Sequence, residues 1–352
     1  MMVFIKSPFA NQIGSYLPIS FTDIYNKLLN ELLLLISYWI KLISLLVNSS
    51  IDYPHDIFNM YPWPDEVEED KLEWFISTFL SIEDGADFNT IDSLEWSPMC
   101  KAIYIDNIEI VKYLIYKYKD TDLNVSSCSK TTPLIFATSK GYQKIVEELI
   151  KSGADVNLED ERGCTPLIMA ISKHNLEIVT LLSKNNANLN LVNKNGWNPI
   201  KLAIKLEKVE ILKCLVENGA KIDFVDNTGW TPITKAIHGN KIKIVQVLIA
   251  NGVNVNLKSG NGLSPLSTAV QVDHLEMVKL LVENGATINT HDGPGTTPFQ
   301  IAIILNRMEI FKFFMIIGAD LQIRSVNFKN NSIELSLHKG QISVMKTLLH
   351  HQ

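Results

Sequence analysis

The stretch DNTGWTPITKAI, Asp226–Ile237, has near copies on both sides of it in the chain. Upstream stand DERGCTPLIMAI at Asp160–Ile171 and NKNGWNPIKLAI at Asn193–Ile204; downstream stand SGNGLSPLSTAV at Ser259–Val270 and DGPGTTPFQIAI at Asp292–Ile303. The prolines of these phrases, with one more upstream, fall at Pro133, Pro166, Pro199, Pro232, Pro265 and Pro298, a constant step of 33 residues. A second phrase keeps the same step. Gly153, Gly219, Gly252, Gly285 and Gly318 open GADVN, GAKID, GVNVN, GATIN and GADLQ, and Asn186 of NANLN fills the remaining slot. Backwards the frame reaches Gly85 and Pro98, the latter at a step of 35, and forwards it reaches a worn copy at Asn331–Leu349.

The unit Asp160–Val192 shows what one period builds. Thr165 can cap a helix that begins at Pro166, where a missing N–H costs nothing and the fixed φ is already helical. Leu167, Ala170 and Ile171 give that helix an apolar face. A break near His174-Asn175 reverses the chain into a second helix with Ile178, Val179, Leu181 and Leu182 on its face. At the corresponding breaks stand Gly141, Asn240, Asp273, Asn306 and Gly340, which tolerate a left-handed cap, together with the less suitable His174 and Glu207. The glycine slot ends the second helix, and the following Asp-x-x-Gly makes an extended arm and a tight turn. A single pair of helices cannot bury its face alone, so the units must stack into a continuous core.

With its 33-residue period, its TPLIxA-type openings at Thr132, Thr165, Thr231 and Thr297 and its GADVN at Gly153–Asn157, the chain resembles the ankyrin repeat family from about Asp92 onward. The resemblance implies an all-α, helix-turn-helix solenoid with short β-turn arms. Units are expected near 92–126, 127–159, 160–192, 193–225, 226–258, 259–291, 292–325 and 326–352, preceded by a capping or degenerate repeat at 65–91. Members usually carry histidine two places after the proline, hydrogen-bonded between turns. Here that place holds Cys100, Ile135, Ile168, Lys201, Thr234, Ser267, Gln300 and Glu334.

The first 64 residues have a different character. Lys27–Val47, KLLNELLLLISYWIKLISLLV, bears only Lys27, Glu31 and Lys41 as charges, and its longest uncharged interior run, Leu32–Ile40, is short of the about 18 residues a spanning helix needs. Asn30, Ser37, Lys41, Ser44 and Asn48 share one helical face opposite a wide apolar one. Such a helix packs on the first repeat, pairs with a second copy or lies against a membrane. Pro54, Pro62 and Pro64 mark a connector, and Asp65, Glu66, Glu68, Glu69 and Asp70 are either a patch for a basic partner or favourable charges at the start of a helix through Leu72–Leu80.

A net charge of −6, from 32 basic and 38 acidic residues, provides no general attraction for phosphates, so nucleic acid is not expected as a partner. The four cysteines, Cys100, Cys128, Cys164 and Cys214, form no CxxC and do not follow the repeat, which suits reduced thiols in the cytoplasm or nucleus. The eight histidines include no HExxH, and the triplets Gly260-Asn261-Gly262 and Gly293-Pro294-Gly295 lack the Lys-Ser/Thr of a phosphate loop. Neither enzyme activity nor a cofactor or metal is expected.

What remains is binding, through positions the scaffold leaves open. The resemblance implies a concave face of turn tips and first helices that contacts protein partners. Just before the Thr-Pro slots stand Trp96, Thr131, Cys164, Trp197, Trp230, Leu263 and Thr296. Trp197 and Trp230 come from successive units and could form an aromatic ledge, or each indole could simply cover the neighbouring turn. Lys140, Lys173 and Lys205, followed by His238 and Gln271, are taken as matching places at the ends of the first helices. They would suit an acidic and apolar segment of a partner, or simply solvate the helix ends. The expected function is a non-catalytic protein-interaction scaffold in the cytoplasm. The alternative is a membrane-associated adaptor tethered by residues 27–47.

Overall fold

A hydroxyl or amide side chain beside a proline fixes where each first helix starts. The computed structural model of the chain describes residues 91, 96–117, 122–127, 130–293, 295–326 and 330–338, with 344 and 346. The chain divides into two units, Met1–Glu68 and Glu69–Gln352, and every described residue belongs to the second. The segment 27–47, the connector, the acidic run 65–70 and the helix expected at 72–80 lie outside the described residues.

Ser97, Thr132, Thr165, Asn198, Thr231, Ser264 and Thr297 are extended, and each side-chain oxygen accepts the N–H three residues on, satisfying a donor that the first turn leaves without an intrahelical partner. From these caps run α1 (Pro98–Tyr104), α3 (Pro133–Lys140), α5 (Pro166–Ser172), α7 (Pro199–Lys205), α9 (Pro232–His238), α11 (Pro265–Gln271) and α13 (Pro298–Ile304). The second helices are α2 (Ile108–Lys117), α4 (Gln143–Lys151), α6 (Leu176–Lys184), α8 (Val209–Glu217), α10 (Ile242–Ala250), α12 (Leu275–Glu283) and α14 (Met308–Ile316). A last first-type helix, α15 (Ser332–His338), starts without proline. There Asn331 and Glu334 cap each other, each backbone N–H donating to the other's side chain at 2.9 Å.

Among the described residues the reversals between paired helices are left-handed. Asp106, His174, Glu207, Asn240, Asp273 and Asn306 have φ of 52–60°, and Gly141 has 76°. His174 and Glu207 therefore adopt the backbone of their Asn and Asp counterparts, at a cost of about 1–2 kcal/mol each for lacking the right side chain. Asn186 does the same in the glycine slot, at φ 63°.

Two basic residues reach across units at these reversals. Lys241 donates to the Ile204 and Lys205 carbonyls at 2.7 and 2.9 Å, and Arg307 donates to the Gln271 carbonyl at 3.0 Å. Each thus places a cation on the negative end of the preceding unit's first helix.

The core is periodic because the burial is. Leu167, Ala170 and Ile171 of α5 and Ile178, Val179 and Leu182 of α6 are all 0% exposed, while Leu181 is only half-buried on the flank. The alanine recurs as Ala102, Ala137, Ala170, Ala203, Ala236, Ala269 and Ala302, each fully buried, so first helices of neighbouring units approach closely. Each buried Leu or Ile contributes about 1.5–3 kcal/mol.

Among the described residues the arms form no strand but close as hydrogen-bonded turns: Asp160, Asn193, Asp226, Ser259 and Asp292 donate their N–H to the carbonyls of Cys164, Trp197, Trp230, Leu263 and Thr296 at 2.8–3.1 Å. A ladder ties these arms together. Asn124, Asn157, Asn190, Asp223, Asn256 and Asn289 each accept, through Oδ1, the N–H 31 residues on, at Asp155, Asn188, Lys221, Asn254, Thr287 and Asp320.

Where the consensus histidine is missing, two residues restore a bond between turns. Gln300 donates to the Ile323 carbonyl at 2.7 Å, and Lys201 reaches the Asn227 amide oxygen at 3.2 Å. Ile135 and Ile168 instead fill the place with apolar bulk, at 0% and 3% exposure.

Candidate interaction groove

The residues three and six after each proline share one face of the first helix, because about 3.6 residues make a turn, and in the unit of α9 the indole before the cap lies against both. In the unit of α9 this face holds Lys235 and His238; in that of α7 it holds Leu202 and Lys205, with Trp197 before the cap. Trp230 is half-buried, with the Lys235 ammonium 5.2 Å from its ring centroid and the His238 imidazole 4.9 Å away at a tilt of 38°. Trp197 is also half-buried, with the Lys201 ammonium 5.6 Å from its ring centroid. Each indole thus lies against a cation of its own helix, a favourable placement over a π face. Among the described residues no direct ring contact joins Trp197 to Trp230, which belong to successive units.

Trp96 corrects the expectation of a third turn-tip anchor. It is 7% exposed and packs edge-on against Tyr104 and Phe136, both at 5.4 Å, because aromatic side chains from its own unit and the next close over it. Lys140 belongs to this cluster, 5.6 and 5.7 Å from the Tyr104 and Phe136 rings.

The row of cations needs a second correction. Lys140 and Lys173 stand seven residues after Pro133 and Pro166, whereas Lys205, His238 and Gln271 stand six after Pro199, Pro232 and Pro265. One residue turns a side chain by about 100° around the helix, so the two sets do not share a line. All five are exposed, but only Lys205, His238 and Gln271 occupy the face against which Trp230 lies in its unit. Cys164, in the turn slot of α5, is 3% exposed; burial raises its thiol pKa, which keeps it protonated and unreactive.

Beneath the two indoles runs an ion pair. Lys201 Nζ lies 2.8 Å from Asp226 Oδ2, with the side chains 15% and 6% exposed, and also donates to the Gly196 carbonyl at 2.7 Å. Asp226 Oδ1 accepts the Thr228 and Trp230 N–H groups at 2.8 and 2.9 Å. Burial works to raise the pKa of this carboxyl, but the Lys201 ammonium, the Thr228 hydroxyl and the two backbone donors outweigh it and hold the carboxyl at about 2. Comparing phrases passes over Lys201, Asp226 and Lys235. Lys201 occupies a slot marked only by a lost histidine, Asp226 looks like an ordinary turn residue, and the helical spacing of Lys235 from His238 is the signal that finds it.

Among the described residues no group of three or more His, Cys, Asp or Glu side chains could hold a metal ion, and no helix is long and apolar enough to cross a membrane.

The chain is similar to several known proteins. Neurogenic locus notch homolog protein 1 of Xenopus tropicalis is 39% identical over 80 residues, covering 23% of this chain and 3% of that protein. The Homo sapiens counterpart is 35% identical over the same coverage. Alpha-latrotoxin-Lh1a of Latrodectus hasselti is 27% identical over 122 residues, 26% of this chain and 8% of that one. The chain therefore spans only a small fraction of these relatives' length. Among solved structures, the ankyrin repeat domain of Bcl-3, described as a unique member of the IkappaB protein family, superposes with a TM-score of 0.57 at 26% identity, covering 62% of this chain and 98% of that one. An ankyrin repeat domain from Acinetobacter baumannii AYE gives 0.50 at 29% identity, covering 54% and 98%. The family model for ankyrin repeats in three copies matches residues 69–160, 152–226 and 208–292, more than half of the sequence. With the recurring caps, left-handed reversals and stacked helix pairs, this match establishes that the chain belongs to the ankyrin repeat family.

Proposed function

We propose that this array is a non-catalytic scaffold that binds a protein partner along the face of its turn tips and first helices, with Trp197 and Trp230 as anchors. Ankyrin repeats are protein–protein interaction modules. The observation that carries the finer reading is the placing of two half-buried indoles in successive units among cations not committed elsewhere. Lys205 and Lys235 form no ion pair among the described residues, and segments 197–206 and 230–239 contain no carboxylate. Such a face suits a segment that inserts an apolar side chain beside an indole and sets acidic side chains against Lys205, Lys235 and His238. Gln271 continues the line as a neutral hydrogen-bonding flank, and Lys140 and Lys173 lie beside it. A cytoplasmic setting belongs to the same proposal and suits the free thiols of Cys164 and Cys214 among the described residues.

The test is selection of displayed random peptides on the full chain, followed by titration of the enriched peptides against Trp197→Ala, Trp230→Ala and Lys235→Glu. Peptides pairing Asp or Glu with Leu, Phe or Trp are expected to dominate. Each tryptophan truncation should weaken them by about 2 kcal/mol, roughly thirtyfold. Enriched peptides that bind all three variants as tightly as the wild type would place recognition elsewhere.

A further inference from the structure

One carboxylate serves both tryptophans, although they belong to different units. Oδ1 of Asp226 accepts the N–H of Trp230 at 2.9 Å and of Thr228 at 2.8 Å, fixing the turn from which the Trp230 indole projects. Oδ2 of the same group takes the Lys201 ammonium at 2.8 Å, and that ammonium lies 5.6 Å from the Trp197 ring centroid. With side-chain exposures of 15% and 6%, the pair is largely withdrawn from water, so it is screened little and its geometry is narrowly set. Lys201 is held further by the Gly196 carbonyl at 2.7 Å and the Asn227 amide oxygen at 3.2 Å, which leaves it few alternative positions.

We propose that Asp226 is a positioning residue for the groove: through Lys201 it holds the Trp197 indole, and through its own turn it holds the Trp230 indole, so that the two anchors are set relative to one another before a partner arrives. This rests on the reading of the two tryptophans as anchors. Its consequence for binding is preorganisation, since an anchor already held in place loses less side-chain freedom on association. The preceding unit shows which half of the arrangement is ordinary. Asn193 stands where Asp226 stands one unit later, and its Oδ1 accepts the Asn195 and Trp197 N–H groups at 3.0 and 2.9 Å. An amide therefore suffices to cap the turn. What Asn193 lacks is the charge, and with it the 2.8 Å lysine contact that Asp226 makes across the unit boundary.

That contrast supplies the variant. Asp226→Asn keeps the turn cap in a form the fold already uses at Asn193, and removes the charge that holds Lys201. Full-length protein labelled with 5-fluorotryptophan is examined by ¹⁹F NMR without any partner, with Trp96, Trp197 and Trp230 assigned by Phe substitution. In Asp226→Asn the Trp197 resonance is expected to shift and broaden, although Asp226 belongs to the next unit, while Trp96 and Trp230 stay in place. Lys201→Met should reproduce the Trp197 change, and combining the two substitutions should add nothing further. A Trp197 resonance unmoved in Asp226→Asn would overturn the proposal and leave Asp226 as the cap of its own turn. Because no partner is present, this spectrum tests positioning alone, and peptide titration of the tryptophan truncations separately tests binding.

Discussion

An unfolded aspartate titrates near pH 3.9, while Asp226 in its place against Lys201 is held at about 2. A folded-state pKa below the unfolded one means that the ionised group stabilises the fold fully above about pH 4, and that this contribution is lost as pH falls from there through about 2. Removing Lys201 strands the carboxylate. Lys201→Met is expected to cost on the order of 3 kcal/mol at pH 7, because the remaining charge is buried without its partner. The gap to the wild type should narrow below pH 4, where the stranded carboxyl takes up a proton. Urea unfolding of both proteins at pH 7, 4 and 3 measures this; a gap independent of pH would mean that Lys201 acts by packing alone. The tryptophans separate from the core in the same kind of measurement. Ile233, fully buried in α9, should lose about 2–5 kcal/mol on truncation to alanine, whereas half-buried Trp230 should lose clearly less.

At the level of the elements, the arms meet through bare backbone where side chains would not fit. Gly293 donates its N–H to the Gly262 carbonyl at 2.8 Å, and Gly260 donates to Gly229 in the same way at 2.7 Å. A Cβ on Gly262 would run into Gly293 Cα and come within 2.9 Å of its nitrogen, whereas one on Gly252 meets nothing within 4 Å. Both glycines are left-handed, at φ of 78° and 79°, so the two alanine variants share a conformational cost of about 1 kcal/mol. Gly262→Ala must in addition push neighbouring arms apart, and should cost about 1–3 kcal/mol more than Gly252→Ala by thermal unfolding. Equal losses would show that the tips separate freely.

The element pattern was legible because it is local and repeated: Thr-Pro starts a helix wherever it occurs, and an apolar residue at helical spacing faces inward in every unit. The groove was less legible because it depends on what neighbouring units place together. Trp96 and Trp230 occupy the same slot in the phrase, yet one is closed over by Tyr104 and Phe136 and the other is not. The Asp226–Lys201 pair crosses a unit boundary, so no single phrase contains it.

Across the whole molecule every unit is held by the one before and the one after, so stability is a sum of unit terms and neighbour terms, with the ends least supported. The last unit departs from the others in starting α15 from Asn331 without a proline. Its amides are expected to exchange with deuterium ahead of those in α7 to α12, which have neighbours on both sides. Equal protection along the array would argue for a single cooperative block. The ladder of side-chain bonds adds a constraint of another kind, on how such a chain can change over generations. Each rung joins residues 31 apart, so gain or loss of one complete 33-residue unit leaves every rung intact, while an insertion inside a rung breaks it. The irregular step of 35 residues from Pro98 to Pro133 obeys this rule: the rung from Asn124 to Asp155 still spans 31, so the two additional residues lie before Asn124. Inheritance by whole units is free to lengthen or shorten this array, and smaller edits survive only where no rung passes over them.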